Sequence, residues 1–291
     1  MKAICTIITK SHLHYAQVLH KSILRFMPDI HMHMLIVDTI ESERPKTLER
    51  ASAYTNEIIT QSELGKKIYD KYYQKNMDHY RWSIKSVFMA NLLEKGVDQL
   101  LYLDSDLFFF DDPTFLFEKL NNKGILLSPH FRCSDPSIDY NEYGRNNTHG
   151  LFNGGFVGAS KNGIPALNWW AKACHSVCEV NKKAGYYVDQ SHLNMLPVLF
   201  EDISIIRNHG CNVANWNITG SPRSQKNGEV LLDGRDKLVF IHFTSDTIQG
   251  ILSGEDPLLK PYLDEYEKAL MEEMPSMEPF KMKKPWYQKL V

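Results

Sequence analysis

The chain has 291 residues, of which 43% are hydrophobic and 23% charged, and its formal net charge is −2. That composition is globular and long enough for a sizeable core, as one large domain or two small ones. The balanced charge excludes the basic field of a nucleic-acid binder and the acidic excess of a disordered chain, and no apolar run approaches the roughly 20 residues of a membrane span.

The β-branched run "AICTIIT" reads as a first strand. Thr6 and Thr9 interrupt it and no small-residue cleavage site follows, which separates it from a signal peptide. "YAQVLHKSILRFM" places Tyr15, Val18, Leu19, Ile23 and Phe26 at helical spacing, and Pro28 stops it. "HMHMLIVD" is a second strand with His31 and His33 on one face. His-X-His is a metal-chelating spacing, but two exposed histidines at a strand end account for it more simply. "IESERPKTLERASAY" is expected as a second helix and "NEIIT" as a short third strand. "HYRWSIKSVFMANLLEKG" is a helix with Trp82, Val87, Met89, Leu92 and Leu93 apolar and Gly96 as its stop. "DQLLYLD" is a central strand, apolar on both faces as parallel strands are. This strand–helix–strand alternation predicts a parallel sheet covered by helices.

Farther on, "GILLSPH" is a strand and "CSDPSIDYNEYGRNNTHG" a polar loop. "LFNGGFVGAS" has strand character interrupted by Gly154 and Gly155, a sign of close backbone approach to a ligand. "PALNWWAKACHSVCEV" and "YVDQSHLNMLPVLF" read as helices, and "LVFIHFTS" as a late strand carrying His242. With no repeat, low-complexity tract or linker, one domain is expected over residues 1–254, followed by a helical and basic-aromatic tail over 255–291. The five cysteines are odd in number and irregular in spacing, which predicts free thiols and a reducing compartment; Cys174 and Cys178 would share a helix face.

The chemistry concentrates in "QLLYLDSDLFFFDDP", where Asp104 and Asp106 follow a buried strand. Asp is depleted in strands and is nearly always exposed or paired. In open α/β sheets the carboxyl end of a strand is the ligand edge. Alternation along an extended strand would send both acids to one side, within reach of one hard Mg²⁺ or Mn²⁺. Three readings compete: a metal–diphosphate site, carboxylates that merely cap a loop, and the Asp-X-Asp-X-Thr/Val of a haloacid-dehalogenase-type phosphatase. Phe108 in the fifth position, and a motif a third of the way along the chain, argue against the last.

The ordered set "ICTIITKSHLHYAQVLHKSIL", "RWSIKSVFMANLLEKGVDQLLYLDSDLFFFDDP", "LFNGGFVGASKN", "YVDQSHLNML" and "VFIHFTS" resembles the GT-A glycosyltransferases. It is most similar to the family 8-like nucleotide-diphospho-sugar transferases of bacterial surface-glycan synthesis, from Ala3 to Gly254. The resemblance implies a single GT-A, Rossmann-like α/β domain with a mostly parallel central sheet flanked by helices. It implies that Asp104, Asp106 and His242 hold a Mn²⁺ or Mg²⁺ that bridges the donor phosphates. Ser105 would meet the ribose or base, Thr6, Ile7 and Thr9 would cradle uracil and ribose, and His12 would stack. Arg81 and Lys85 would be cations facing the donor. Asn153, Gly154 and Gly155 would line the sugar, and Asp189 and Gln190 would lie beneath it, as in retaining members.

By the same resemblance the chain would move a hexose from a UDP-sugar, with retention, to a bacterial-type surface polysaccharide or lipid-linked oligosaccharide. Asp135, Asp139 and Glu142 stay open as bases of an inverting alternative. A sugar nucleotidyltransferase and a non-catalytic nucleotide-sugar-binding protein are the rivals; the first usually has a Gly-rich loop after the first strand, and "TKSHLHY" has no glycine. The family's Lys-Pro-Trp after the late His is missing from "HFTSDTIQG", and "KKPW" occurs only at Lys283 to Trp286. Phosphate charge would then be met by the metal, by Lys85 or Arg81, or by the tail folding back. The tail "EPFKMKKPWYQKLV" carries Lys281, Lys283, Lys284 and Lys289 with Phe280, Trp286 and Tyr287. Such a segment suits either a lid over the diphosphate or peripheral contact with the inner face of a membrane by a cytoplasmic protein.

Overall fold

The computed structural model describes residues 1–45 and 49–283. The strands are β1 (Lys2–Ile8), β2 (His31–Ile36), β3 (Ala51–Tyr54), β4 (Gln99–Leu103), β5 (Leu107–Phe109), β6 (Ile125–Pro129), β7 (Phe152–Ser160), β8 (Val180–Asn181), β9 (Tyr186–Tyr187), β10 (Ile203–Ile205), β11 (Arg223–Lys226), β12 (Glu229–Leu232), β13 (Asp236–Lys237) and β14 (Phe240–His242). Seven of them form the central sheet, in the order β10-β6-β7-β4-β1-β2-β3. β3, β2, β1 and β4 run parallel, β10 is parallel to β6, and β7 is antiparallel to both its neighbours. β4, which carries the two acids past its end, lies in the middle.

Period-2 alternation divides the apolar strand residues between two faces. Ala3, Cys5, Leu100 and Tyr102 enter one core with Phe88, Leu92 and Trp170 from helices Lys85–Glu94 and Ile164–Ser176. Ile4, Ile8, Leu101 and Leu103 enter the other with Ala16, Leu19 and Ile23 of helix Leu13–Leu24. Burial on both faces is why "QLLYL" reads as an unbroken apolar run. A third cluster joins Phe108, Ile241 and Phe243 to Leu263, Tyr266 and Leu270 of helix Lys260–Glu273. Among the described residues no helix is long and apolar enough to cross a membrane.

Several local expectations change. Ala51–Tyr54 is a strand, not the end of a helix, and "NEIIT" contributes helix Glu57–Thr60 with Ile58 and Ile59 buried. Pro45 disfavours helix before it, and the small Ala51 and Ala53 alternate inward at the sheet edge. The helix expected through "HYRWSIKSVFMANLLEKG" is two helices, Met77–Ser83 and Lys85–Glu94, joined at Ile84. The polar loop contains helix Tyr140–Thr148, capped by Asp139, whose side chain accepts from the Glu142 amide. "YVDQSHLNMLPVLF" forms a 3₁₀ segment, Gln190–Met195, before a single helical turn. His31 and His33 are half-buried and buried rather than exposed. Their ring nitrogens each lie 2.9 Å from a hydroxyl on β3, those of Ser52 and Tyr54. All five cysteines are buried free thiols.

Candidate active site

β4 ends at Leu103, and Asp104–Asp106 form a turn into β5 rather than an extension of the strand. The acids therefore do not share a side through strand alternation. Antiparallel pairing of β5 with β14 sets Leu107 opposite His242, and the Phe243 amide donates to the Asp106 carbonyl at 2.9 Å. That pairing carries His242 Nε2 to 3.0 Å from Asp106 Oδ1. Ligand atoms of Asp104, Asp106 and His242 all lie within 4.8 Å of one another. Two carboxylate oxygens and one imidazole nitrogen at this spacing would suit a hard divalent ion such as Mn²⁺ or Mg²⁺.

The far side of the imidazole is also set. His242 Nδ1 lies 3.2 Å from Asn212 Oδ1, an acceptor that holds a proton on Nδ1 and leaves Nε2 facing the acids. Asn212 is fully buried and has a left-handed φ of 58°. The Trp216 ring stands edge-on to His242, centroids 5.3 Å apart. Burial would lower the His242 pKa, but the Asp106 and Asp104 carboxylates more than offset it and raise it. Burial likewise acts to raise Asp106, and His242 prevails and lowers it.

A second ionic group supports the first. Lys85 is buried, and its ammonium donates to the Gly154 carbonyl at 2.9 Å. It lies 3.4 Å from Asp104 Oδ1 and 3.2 Å from Asp189 Oδ2. Burial acts to lower the lysine's pKa, and the two carboxylates outweigh it and raise it. Asp189, 2% exposed, is itself raised by burial, which Lys85 offsets only in part. Apart from the Lys85 ammonium, Asp189 Oδ2 meets no donor among the described residues. The Tyr102 hydroxyl donates to Asp104 Oδ1 at 2.7 Å. On β7, a Cβ at Gly155 would stand 2.5 Å from His242 Cε1 and 2.8 Å from Asp104 Oδ2, and one at Gly154 would stand 3.0 Å from Asp189 Oδ2. Both glycines are required by close approach within the site.

Two cavities of about 550 Å³ each meet over these acids and share Trp82, Lys85, Asp104 and Asp106 in their walls. The first is bounded by Ile7, His12, Tyr15, Arg81, Ser105 and Phe243, and also by Phe280, Lys281 and Lys283. Flat rings beside cations suit a base and phosphates. The second is polar, bounded by Asn153, Gly154, Gly155, Asp189, Gln190 and His242 among others, and suits hydroxyl-rich sugars. Gln190 is held at both ends of its amide: Nε2 donates to the His149 carbonyl at 2.7 Å, and Oε1 accepts from the Gly154 amide at 3.2 Å.

Most of the residues singled out in the sequence thus converge on one cleft. Asp135, Asp139 and Glu142 do not line it, and neither do two of the residues expected at the nucleotide. Thr6 is fully buried, with its hydroxyl unpartnered among the described residues, and Thr9 acts at one remove, its hydroxyl 2.7 Å from His12 Nδ1. Lys85 is buried beside Asp104 and Asp189 and borders both cavities. Asn212 and Trp216 escaped sequence reading because neither belongs to a recognisable spacing, and Trp82 and Tyr102 read only as apolar residues of a helix and a strand. Lys283 Nζ reaches Ser245 Oγ at 2.6 Å, and the Lys283 amide donates to Gln249 Oε1 at 2.7 Å, so the start of the tail lies against helix Ser245–Ser253. Lys284, Trp286, Tyr287 and Lys289 lie outside the described residues.

Comparison with known proteins places this cleft in context. The galactosyltransferase LgtC, in complex with donor and acceptor sugar analogues, superposes with a TM-score of 0.57 at 14% identity, covering 99% of this chain and 100% of that one. Mouse xyloside xylosyltransferase 1 in its apo form gives 0.52 at 15% identity, covering 85% and 99%. Two uncharacterized proteins of Bacillus subtilis (strain 168) are similar along most of their length. YfnF is 26% identical over 260 residues (86% of this chain, 83% of that protein), and YfnD is 28% identical over 253 residues (84% and 77%). The profile of glycosyl transferase family 8 matches residues 3–247, and the chain, a GT-A glycosyltransferase, belongs to that family.

Proposed function

We propose that the enzyme transfers a hexose from a UDP-sugar, in a metal-dependent reaction with retention at the anomeric carbon, to a glycan acceptor of a bacterial-type surface polysaccharide or lipid-linked oligosaccharide. The observation that carries this reading is the convergence of Asp104, Asp106 and His242 where the two cavities meet. A divalent ion held there supplies Lewis-acid stabilisation of the charge that grows on the leaving diphosphate. The first cavity takes the nucleotide, with His12 and Tyr15 as ring surfaces and Arg81 and Ser105 as polar contacts. Asp189 Oδ2 accepts from a sugar hydroxyl, and Asn153 and the two glycines leave room for the ring. The bond from C1 to the phosphate oxygen breaks, the bond from C1 to the acceptor oxygen forms, and the acceptor proton passes to the departing phosphate.

Retention is supported by what the carboxylates are engaged in. Asp135 accepts from the amide and hydroxyl of Ser137, Asp139 caps helix Tyr140–Thr148, and Glu142 is shared by Arg132 and Arg145. None of these three borders the sugar cavity, and a base for inversion must reach the acceptor hydroxyl; among the described residues the lining carboxylates are Asp104, Asp106, Asp189 and the exposed Asp246. Gln190, neutral and with its amide held at both ends, suits the face beneath the sugar, which leaves Asp246 as the carboxylate whose replacement tests for an inverting base. Phe280, Lys281 and Lys283 at the nucleotide cavity favour the lid role of the tail over the membrane role.

Calorimetry with UDP, with and without Mn²⁺, tests the proposal, followed by donor hydrolysis across a panel of nucleotide sugars. UDP should bind more tightly with Mn²⁺, and Asp106→Ala should abolish the difference. Equal UDP affinity with and without Mn²⁺ in the unmodified protein would overturn it.

A further inference from the structure

The sugar cavity has a wall that hexosyl transfer does not require. Arg132 follows β6, Arg145 lies on helix Tyr140–Thr148, and Lys182 lies in the β8–β9 connection; all three border the sugar cavity and none borders the nucleotide cavity. Both guanidinium groups share the single Glu142 carboxylate, and Lys182 pairs with no carboxylate among the described residues. The Lys182 ammonium stands 5.7 Å from the Tyr187 ring centroid. Arg132 has a side chain only 6% exposed, and its Nε–H has no acceptor among the described residues. The wall therefore carries excess positive charge.

The acids on the opposite side do not offset it. Asp189 is matched to Lys85, and Asp104 and Asp106 are matched to Lys85, His242 and the ion they are suited to hold. Asp246 is a further acid in the lining and is exposed. His149, tilted against Tyr187 with centroids 4.3 Å apart, reports the field: burial, then repulsion from Lys182, Arg132 and Arg145, pushes its pKa down to about 4.

We propose that Arg132, Arg145 and Lys182 form an oxyanion site for the acceptor, so that the accepting glycan carries a phosphate or carboxylate near the hydroxyl that is glycosylated. Ring surfaces at His149 and Tyr187 take the sugar and the cations take its charged group. This inference rests on the transfer reading above.

The test uses the full chain saturated with UDP and Mg²⁺, which blocks the donor phosphate site. Inorganic phosphate, α-glucose 1-phosphate, glucuronate and methyl glucoside are titrated by calorimetry and by NMR of His149. At least one of the anionic probes should bind about tenfold more tightly than methyl glucoside, as a charge-assisted contact warrants, and should raise the His149 pKa. Arg145→Ala combined with Lys182→Ala, both at exposed or half-exposed positions, should remove that preference and keep UDP affinity. A response to the phosphates alone or to glucuronate alone identifies the group. Equal affinity for all four probes overturns the proposal. So does a preference for UDP-glucuronate over UDP-glucose without any preference among the probes, which would put the anion on the donor. If UDP itself fails to bind with metal, the transfer reading fails instead, and the same titrations without nucleotide still decide whether the wall binds an oxyanion.

Discussion

Replacing Gly155 by Ala adds one methyl group to β7 at the place where the chain passes beneath the acids. The new Cβ would stand 2.5 Å from His242 Cε1, 2.8 Å from Asn153 Oδ1 and 2.8 Å from Asp104 Oδ2. Non-bonded carbons settle near 3.5 Å, so the imidazole must retreat by about 1 Å. It has little room, since Asn212 holds its Nδ1 side and Trp216 packs edge-on. Metal ligation tolerates only about 0.2 Å, and disturbing even the residues behind a ligand costs roughly 10–100-fold in metal affinity. The same overpacking should destabilise the fold by about 1–3 kcal/mol. Isothermal titration of Mn²⁺ into the UDP-loaded protein reads the first effect and urea denaturation the second. Gly144→Ala is the control: it lies on helix Tyr140–Thr148 with open space around its Cβ, and should stabilise the protein by about 0.5–1 kcal/mol without affecting Mn²⁺. A folded Gly155→Ala protein with unchanged Mn²⁺ affinity would refute the assignment of these three side chains to the ion.

Lys85→Met removes one partner from a buried ionic group and leaves Asp189 uncompensated, so unfolding in urea should show a loss of about 3–5 kcal/mol. Adding Asp189→Asn should recover part of it, and a single-variant loss below about 1 kcal/mol would mean that the ammonium does not hold the two acids. Gln190→Ala should abolish sugar transfer while leaving UDP affinity intact, as measured by radiolabel transfer beside calorimetry; loss of UDP binding in a folded variant would put Gln190 elsewhere. A chain ending at Ser276 lacks Phe280, Lys281 and Lys283 and should bind UDP more weakly; it should also melt somewhat lower, because Met277 and Phe280 pack against the cluster around Tyr266, so affinity is compared well below both transitions. Liposome pelleting at low salt that distinguishes the full chain from the shortened one, with equal UDP affinity, would instead favour the membrane role.

The sequence alone determined what depends on near neighbours. An apolar run buried on both faces announces a central strand, and acids at its end announce the ligand edge, because a buried segment that turns polar has to leave the sheet there. Gly154 and Gly155 within an otherwise regular strand signalled close approach, and the spacing of helix Leu13–Leu24 marked its inward face. Tertiary structure alone decided what depends on partners distant along the chain. Local pattern sets Ala51–Tyr54 as readily into a helix as into a strand, and the free edge of β2 selected the strand. The two acids meet through a turn that β14 holds in place by pairing with β5, a register that no local spacing encodes. Asn212 orients His242 only because its left-handed backbone sets the side chain against the ring. Lys85 was legible as a cation near the donor, but not as the group whose ammonium Asp104, Asp189 and the Gly154 carbonyl enclose. A charged side chain's role follows from which opposite charges share its low-dielectric surroundings, and those partners come together only when the chain folds.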